Sequence, residues 1–310
     1  MLGGRHMIKS YVGVTDFDWF QLLREEDGIE EINFWQPGGK RQFKTLAAGD
    51  LFLFKLKSPR NFIVGGGTFA HSTLVPISLA WSAFGRKNGV RSLAEMRART
   101  LSLRHAKTDS REDFTIGCIV LTHPFFLPEE RWIPAPLDWK PNIVQGKTYD
   151  LSVGYGAEIL EQLQARRSEH LLREVPDRRY GEPITLRPRL GQGGFRMVIT
   201  DAYERRCALT GERVLPVLEA AHVRPYSEGG EHRADNGLLL RSDLHTLLDR
   251  GYLTVTPDAR VKVSPRIREE FENGRDYYAL DGSPLRNPVA ADQQLGLHNI
   301  KWHNQHCFLG

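Results

Sequence analysis

Cysteine is scarce in this sequence, and its few residues lie far apart. Cys118, Cys207 and Cys307 are the only three among 310 residues, so we expect neither a disulfide framework nor the paired CxxC motifs of a structural zinc site. Long apolar runs are also missing, since none approaches the roughly 18 residues of a membrane span. The opening MLGGRHM lacks the apolar centre of a signal peptide and is interpreted as a vector remnant before a native start at Met7. We therefore expect a cytoplasmic protein without a membrane partner.

A strong excess of either charge is absent as well. The 42 Lys and Arg residues and 38 Asp and Glu residues leave a net charge of +4, and the pI is near 8.9. Such a charge is compatible with binding a polyanion, but many proteins without nucleic-acid partners are equally basic. The chain is long enough for two domains, and its 40% hydrophobic and 26% charged residues are typical of globular proteins.

Short β patterns broken by turns fill the first half of the sequence. The segments YVGVT, EINFWQPGG, DLFLFKL, NFIVGGGTF and FTIGCIVLTHPFF predict a small β-barrel. Trp19 to Arg24 and Ser92 to Arg104 have helical composition, so we expect them to pack outside the barrel. The triple glycine of Gly65 to Gly67 is not followed by Lys-Ser/Thr and a helix, which favours a bulge or a closely approached strand over a phosphate loop.

A helix with one apolar stripe is predicted next. Its stripe consists of Ile159, Leu160, Leu163, Leu171 and Leu172. Pro176 ends the pattern, and the Arg-, Pro- and Gly-rich residues that follow are typical of a linker. We therefore predict an α+β protein with an N-terminal domain at 7–154, a linker helix at 155–176 and a C-terminal domain at 177–310.

Two residues of the C-terminal domain predict the base half of a catalytic site. His222 follows an apolar stretch that predicts a strand, and a Pro-Tyr-Ser-Glu-Gly-Gly turn comes after it. This places an imidazole on the first strand of a hairpin, where it can act as a general base towards water. Asn236, before Gly237, is expected to accept the second ring N–H of His222 and so to fix the tautomer of the base.

His245 and Asp249 predict the metal half. Both fall within Ser242 to Arg250, a predicted helix that stops at Gly251. The i, i+4 spacing puts imidazole and carboxylate on one helical face, where they can converge on a divalent ion, Mg²⁺ or Mn²⁺. Each feature alone is more often structural, and it is their combination around a Gly-Gly turn that favours catalysis.

The phrases CALTG, LEAAHVRPYSEGG, NGLLL and DLHTLLDRG, between Phe195 and Tyr252, resemble the HNH branch of the ββα-metal nucleases. The resemblance implies a ββα fold, phosphodiester hydrolysis with one metal ion, and a catalytic set of His222, Asn236 and His245. The sequence departs from the family at Ala221, since many HNH enzymes carry an Asp or His ligand there. Asp249 is the predicted substitute.

The N-terminal domain resembles the EVE-like members of the PUA superfamily at YVGVTDFDWFQLL, INFWQPGG, LFLFKLKSPRNFIVGGGTF and SLAWSAFG. Related domains hold a modified base, flipped out of the duplex, in an aromatic pocket, and their fusion to HNH nucleases gives modification-dependent restriction endonucleases. The resemblance thus implies a bacterial enzyme that acts on double-stranded DNA with a modified cytosine. Trp35, Pro37, Trp81 and, as a weaker candidate, Trp132 are the predicted pocket walls, because a stacked base gains about 1–3 kcal/mol. For each, the alternative is a place in the barrel core.

Basic residues near both predicted sites are expected to contact DNA phosphates. Lys40 and Arg41 follow a Gly-Gly break in the N-terminal domain, Arg196 follows Gly193-Gly194, and Arg224 lies two residues beyond the predicted base. A solvated basic face is the alternative.

Together these features predict an endonuclease that senses 5-methylcytosine or 5-hydroxymethylcytosine and cuts nearby DNA. One alternative is an HNH nuclease for another DNA mark or for unmodified DNA. The other is a reader of modified nucleic acid with an inactive HNH domain, which Ala221 favours. The linker helix is expected to restrain the nuclease if its apolar stripe docks on it, or else to be a passive spacer. A homodimer is left open.

Overall fold

The computed structural model describes residues 8–104, 112–165 and 189–310. The chain divides into two compact units between Pro188 and Arg189. Both units contain helices and strands, which confirms the α+β class. Among the described residues, no helix is both long and apolar enough to span a bilayer.

A seven-stranded sheet is the framework of the first unit. Its strands are β1 (Lys9–Thr15), β2 (Glu31–Asn33), β3 (Leu51–Leu56), β4 (Phe62–Pro76), β5 (Thr115–Phe126), β6 (Ile133–Pro134) and β7 (Gly146–Asp150). The hydrogen-bonded order is β2-β5-β4-β3-β1-β7, with β6 paired to β4. The β1–β3 pair is parallel and the other pairs are antiparallel. Every β pattern expected from the sequence overlaps one of these strands, and closure into a barrel stays a prediction.

The triple glycine lies inside β4 and is a closely approached strand, as expected. A Cβ on Gly65 would lie 2.3 Å from the carbonyl oxygen of Phe125 on the neighbouring strand. The β4–β5 register also shifts between Gly66 and Thr68, which marks a bulge.

In the described part of this unit, four α-helices accompany the sheet: α1 (Phe17–Arg24), α2 (Ile77–Phe84), α3 (Leu93–Arg104) and α4 (Gly154–Ala165). The first and third confirm the two helices expected from composition. Trp19, Phe20 and Leu23 of α1 are buried in an aromatic core with residues of the sheet such as Phe52 and Phe54. The apolar side of α1 thus meets the sheet in one core.

The described part of the expected linker helix, α4, packs on the first unit. Ile159 is 1% exposed, and Leu160 and Leu163 pack against the same core. Leu171 and Leu172 lie outside the described residues. The described half of the stripe thus packs on the core of its own unit, and its docking on the nuclease domain stays a prediction.

The second unit is built around a hairpin and the helix that follows it. Its elements are α5 (Gln192–Ala202), β8 (Leu218–His222), β9 (Gly237–Arg241), α6 (Ser242–Asp249), β10 (Leu253–Val255), β11 (Val261–Val263), α7 (Arg266–Phe271), α8 (Arg275–Tyr278) and α9 (Leu297–His306). β8 and β9 pair antiparallel, and α6 begins directly after β9. This is the ββα arrangement expected from the sequence.

Gly237 allows α5 to pack closely on the hairpin. A Cβ at this position would lie 2.3 Å from Cδ1 of Ile199 and 2.8 Å from Cζ of Phe195, both on α5. The contact between helix and strand therefore depends on the missing side chain.

Candidate functional site

His222 ends β8 and is partly buried against α5. Its ring stacks on Phe195, with centroids 4.0 Å apart and an interplanar angle of 12°. Burial, together with the neighbouring His232 and His245, lowers the pKa of His222 to about 4. The imidazole is therefore neutral at pH 7, which is the state that a general base requires.

A third histidine contacts this base. Nδ1 of His232, in the loop between β8 and β9, lies 2.9 Å from Nε2 of His222. On its other side, the His232 ring stacks on Tyr226, with centroids 4.5 Å apart and an angle of 8°. Sequence reasoning missed His232, because a loop position has no periodic pattern that would connect it to a strand residue.

Asn236 is buried, and its side chain holds the loop. Its Oδ1 accepts the backbone N–H of Arg224 at 2.8 Å, and its Nδ2 donates to the carbonyl oxygens of Arg224 and Glu231 at 2.9 and 3.1 Å. The expected hydrogen bond from His222 to Asn236 is wrong, because the backbone of the loop engages the amide. The ring nitrogen of His222 that was expected to contact Asn236 instead lies against His232. The catalytic importance of Asn236 stays a prediction.

The Gly-Gly turn is part of the same loop geometry. A Cβ on Gly230 would lie 1.9 Å from the carbonyl oxygen of Arg224 and 2.8 Å from Nδ2 of Asn236. Gly229 has a φ of +80°, a left-handed conformation that favours glycine. These two glycines let the loop close around the Asn236 amide.

His245 on α6 lies between two carboxylates. Its Nδ1 is 2.7 Å from Oε2 of Glu219 on β8, and its Nε2 is 3.4 Å from Oδ2 of Asp249. The i, i+4 pair thus shares one helical face, as the spacing predicts. Glu219 was missed, because a separation of 26 residues between strand and helix gives no pattern in the sequence.

The donors around His245 fit a divalent cation. An imidazole that binds a metal commonly donates its other ring N–H to a carboxylate, and Glu219 is placed to accept it. That leaves Nε2 of His245 beside the Asp249 carboxylate, where one nitrogen and one oxygen donor are placed to hold a divalent cation. Within 8–104, 112–165 and 189–310, no group of three or more His, Cys, Asp or Glu side chains is arranged around one metal position. A Mg²⁺ ion held by few protein ligands usually keeps several waters and binds phosphate oxygens.

The predicted phosphate contacts have different surroundings. Arg196, on α5, is partly buried; this burial lowers the pKa of its guanidinium, while nearby Glu219 acts in the opposite direction. Arg224 donates from Nε to the carbonyl oxygen of Glu228 at 2.7 Å, and its guanidinium lies 5.3 Å from the ring of Trp302 on α9. Lys40 and Arg41 are exposed. Phosphate binding by these four residues stays a prediction.

In the first unit, Trp35 and Trp81 are both half-buried, and the buried Asn88 hydrogen-bonds to Trp35 and to the residue before Trp81. The carbonyl oxygen of Asn88 accepts the Nε1–H of Trp35 at 3.0 Å. The Asn88 amide donates to the carbonyl oxygen of Ala80, the residue before Trp81, at 3.2 Å. Pro37 is also half-buried, and its carbonyl oxygen accepts from Nε of Arg104 at 2.6 Å. Their role as pocket walls stays a prediction.

Trp132 belongs to the core. It is 8% exposed, packs against Phe17, Phe20 and Phe62, and donates Nε1–H to the carbonyl oxygen of Leu127 at 3.0 Å. The expectation that Trp132 lines a base pocket is wrong, because its ring is covered by the aromatic side chains around it.

Comparison with known proteins gives a match over the hairpin and its helix. Residues 207–256 match the family model of the HNH endonucleases. No curated protein matches the chain. Among solved structures, the chain is similar to ASCH from Zymomonas mobilis, with 11% identity over 51% of this chain and 96% of that chain and a TM-score of 0.34. It is also similar to the modification-dependent TagI restriction endonuclease, with 13% identity over 96% of this chain and 81% of that chain and a TM-score of 0.27.

Both TM-scores are low, so the family match is the finding that bears on activity. The matched residues contain β8, β9 and α6, and with them the partly buried imidazole of His222 and the His245–Asp249 pair. The C-terminal unit therefore carries an HNH endonuclease domain, and the chain is a nuclease.

Proposed function

We propose that the chain is an endonuclease that recognises a modified cytosine in double-stranded DNA through residues 7–154 and hydrolyses nearby phosphodiester bonds. The observation that carries the hydrolysis is the neutral imidazole of His222, whose pKa is about 4. His245 is close enough to contribute to the lowering of this pKa. A base and a metal-binding pair are thus available in one HNH domain.

His222 takes a proton from water as the water oxygen attacks phosphorus, and the bond from phosphorus to the leaving oxygen breaks. The leaving oxygen takes a proton from solvent, and His222 later returns its proton to solvent. A divalent cation, when bound, would supply stabilisation of the negative charge that develops on the phosphate and the leaving oxygen. His245 and Asp249 would hold that cation, Glu219 orients His245, and Arg196 would contact the phosphate.

Glu219 bears on the alternative that the HNH domain is an inactive reader. That alternative depends on Ala221, which is fully buried in the core of the second unit. On the same strand, Glu219 places a carboxylate 2.7 Å from His245. A second acidic group therefore stands beside the metal-binding pair even though Ala221 has no donor atom.

Recognition of the modified base is supported by the resemblance of the first unit to EVE-like domains and by the aromatic residues around Asn88. Stacking gains about 1–3 kcal/mol per base, which nearly cancels the cost of extrusion. Contact with a single carbon at C5 adds about 0.8 kcal/mol. A pocket formed by Trp35, Pro37 and Trp81 would therefore favour a 5-methyl or 5-hydroxymethyl cytosine moderately.

The test is the digestion of one DNA prepared unmodified, methylated and hydroxymethylated, with Mg²⁺ or Mn²⁺ and with full-length wild-type protein or His222→Ala. We expect wild type to cut a modified form faster, and His222→Ala to bind all three forms without cutting. Equal cutting of the three forms would mean that the chain is a nuclease that does not recognise the modification. Metal-independent binding of modified DNA with no cutting would instead support a reader.

A further inference from the structure

We propose that His232 is the positioning residue of the base, and that it makes Nδ1 of His222 the nitrogen that takes the proton from water. The proposal deepens the hydrolysis proposed above and rests on it. His232 lies in the loop between β8 and β9, and its Nδ1 is 2.9 Å from Nε2 of His222.

The hydrogen bond between the two neutral rings permits two tautomers, and only one of them gives a base. In the first, Nε2–H of His222 donates to Nδ1 of His232, and Nδ1 of His222 keeps its lone pair. In the second, Nδ1–H of His232 donates to Nε2 of His222, whose own proton is then on Nδ1. Both nitrogens of His222 are engaged in the second arrangement, so water has no acceptor.

In the first tautomer, every proton that moves in the reaction has a donor and an acceptor. The proton of the attacking water moves to Nδ1 of His222, the water oxygen bonds to phosphorus, and the leaving oxygen takes a proton from solvent. The imidazolium of His222 then keeps its Nε2–H directed at the lone pair of His232. A hydrogen bond from a charged donor is stronger than one from a neutral donor, so this contact strengthens as the charge develops.

Aromatic stacking fixes the planes of both rings. Phe195 covers one face of His222 at 4.0 Å, and Tyr226 stacks on His232 at 4.5 Å, with interplanar angles of 12° and 8°. Tilting either imidazole out of its plane would break a parallel stack. Within these fixed planes, the 2.9 Å contact sets Nε2 of His222 towards Nδ1 of His232.

Asn236 contributes to this arrangement through the backbone. Its Nδ2 donates to the carbonyl oxygen of Glu231, the residue directly before His232, at 3.1 Å. Asn236 thus fixes the loop at the point from which His232 projects. The asparagine of the motif acts on the base indirectly, and His232 makes the direct contact.

Steady-state kinetics of the full-length chain tests the positioning role. We expect His232→Ala to lower kcat about 10- to 100-fold, the range for removing a partner that orients a functional side chain, with little change in KM for DNA. His232→Asn, whose amide oxygen can still accept Nε2–H, should recover part of the loss.

In a His222→Ala background the His232→Ala change should have no further effect, because the two residues act as one unit. His306→Ala removes another imidazole of the second unit and is the control, with kcat unchanged.

The tautomer is tested without any cleavage. Ring ¹⁵N chemical shifts of His222, measured in the folded chain without DNA or metal, should show a protonated Nε2 and an unprotonated Nδ1, and His232→Ala should give a mixture. A proton on Nδ1 of His222 in the wild type, or a His232→Ala variant with wild-type kcat, would overturn the proposal. A wild type that cuts no DNA would refute the proposed hydrolysis alone, since the ¹⁵N shifts still decide whether His232 sets the tautomer.

Discussion

The two histidines of the nuclease site, His222 and His245, have different surroundings. His222 is neutral because it is buried against Phe195 and lies near two other imidazoles. His245 is 23% exposed and lies between the carboxylates of Glu219 and Asp249. The first environment disfavours positive charge and the second attracts it, so one domain provides a base and a cation site side by side.

The low pKa of His222 gives a prediction about acidic pH. Its neutral form persists down to a pH of about 4, whereas an imidazole with the ordinary pKa of 6.5 would be about nine-tenths protonated at pH 5.5. At saturating metal, kcat/KM should therefore stay nearly constant from pH 7.5 to pH 5.5 and fall as the pH drops through about 4. His232 and His245 face the same ring, so the profile is measured in wild type and in His232→Ala. A fall centred near pH 6.5 in wild type would contradict this prediction.

The metal half gives a prediction about ion dependence. Asp249→Asn should raise the concentration of Mg²⁺ or Mn²⁺ that gives half-maximal cleavage about 10- to 100-fold, because it removes a charged ligand. Glu219→Gln should give a smaller increase, because Glu219 acts on the cation through His245. Glu269→Gln, an exposed carboxylate on α7, is the control. An Asp249→Asn variant with a lower melting temperature and unchanged metal dependence would assign Asp249 a structural role.

Among the secondary-structure elements, the loop between β8 and β9 determines whether the site forms. Its closure depends on Gly230, where a Cβ would lie 1.9 Å from the carbonyl oxygen of Arg224. Gly230→Ala should therefore lower the free energy of unfolding by about 1–3 kcal/mol and reduce kcat, because the loop that carries His232 must shift. Ser227→Ala, an exposed position of the same loop, should change neither. Urea unfolding and cleavage rates measure both effects, and an unaltered Gly230→Ala variant would show that the loop tolerates the shift.

The same elements show how much of the fold and of the site could be predicted from the sequence alone. The hairpin, the helix after it and the His245–Asp249 pair could be predicted, because strand alternation, turn residues and i, i+4 spacing are local patterns. His232 and Glu219 could not, since they meet His222 and His245 across 10 and 26 residues. Such contacts depend on how a loop closes and how two elements pack. Trp132 was misplaced for the same reason, as no local pattern distinguishes a buried aromatic residue from one at a pocket.

In the whole molecule, the two units have separate hydrophobic cores. Recognition and cleavage should therefore respond to different substitutions. Trp35→Ala and Trp81→Ala should each reduce the preference for modified over unmodified DNA, by up to the 1–3 kcal/mol of a lost stacking wall. Cleavage of unmodified DNA at saturating metal should change little. Competition binding with the two DNAs measures the preference.

Trp132→Phe is the matched control for these two variants. Because Trp132 packs in the core of the first unit, its substitution should lower the melting temperature and leave the preference for modified DNA intact. If Trp35→Ala and Trp81→Ala weakened binding to both DNAs equally, these side chains would also be assigned to the support of the fold.

The close approach of α5 to the hairpin at Gly237 limits how this nuclease can be transplanted. Phe195, which covers one face of His222, lies 12 residues before the segment that matches the HNH family. On the other side, the α9 residue Asn299 donates to the carbonyl oxygen of Asp235, next to Asn236. A graft of residues 207–256 into a foreign protein would lose both supports and expose one side of the base to water. An exchangeable cutting module therefore has to begin before α5 and extend through α9.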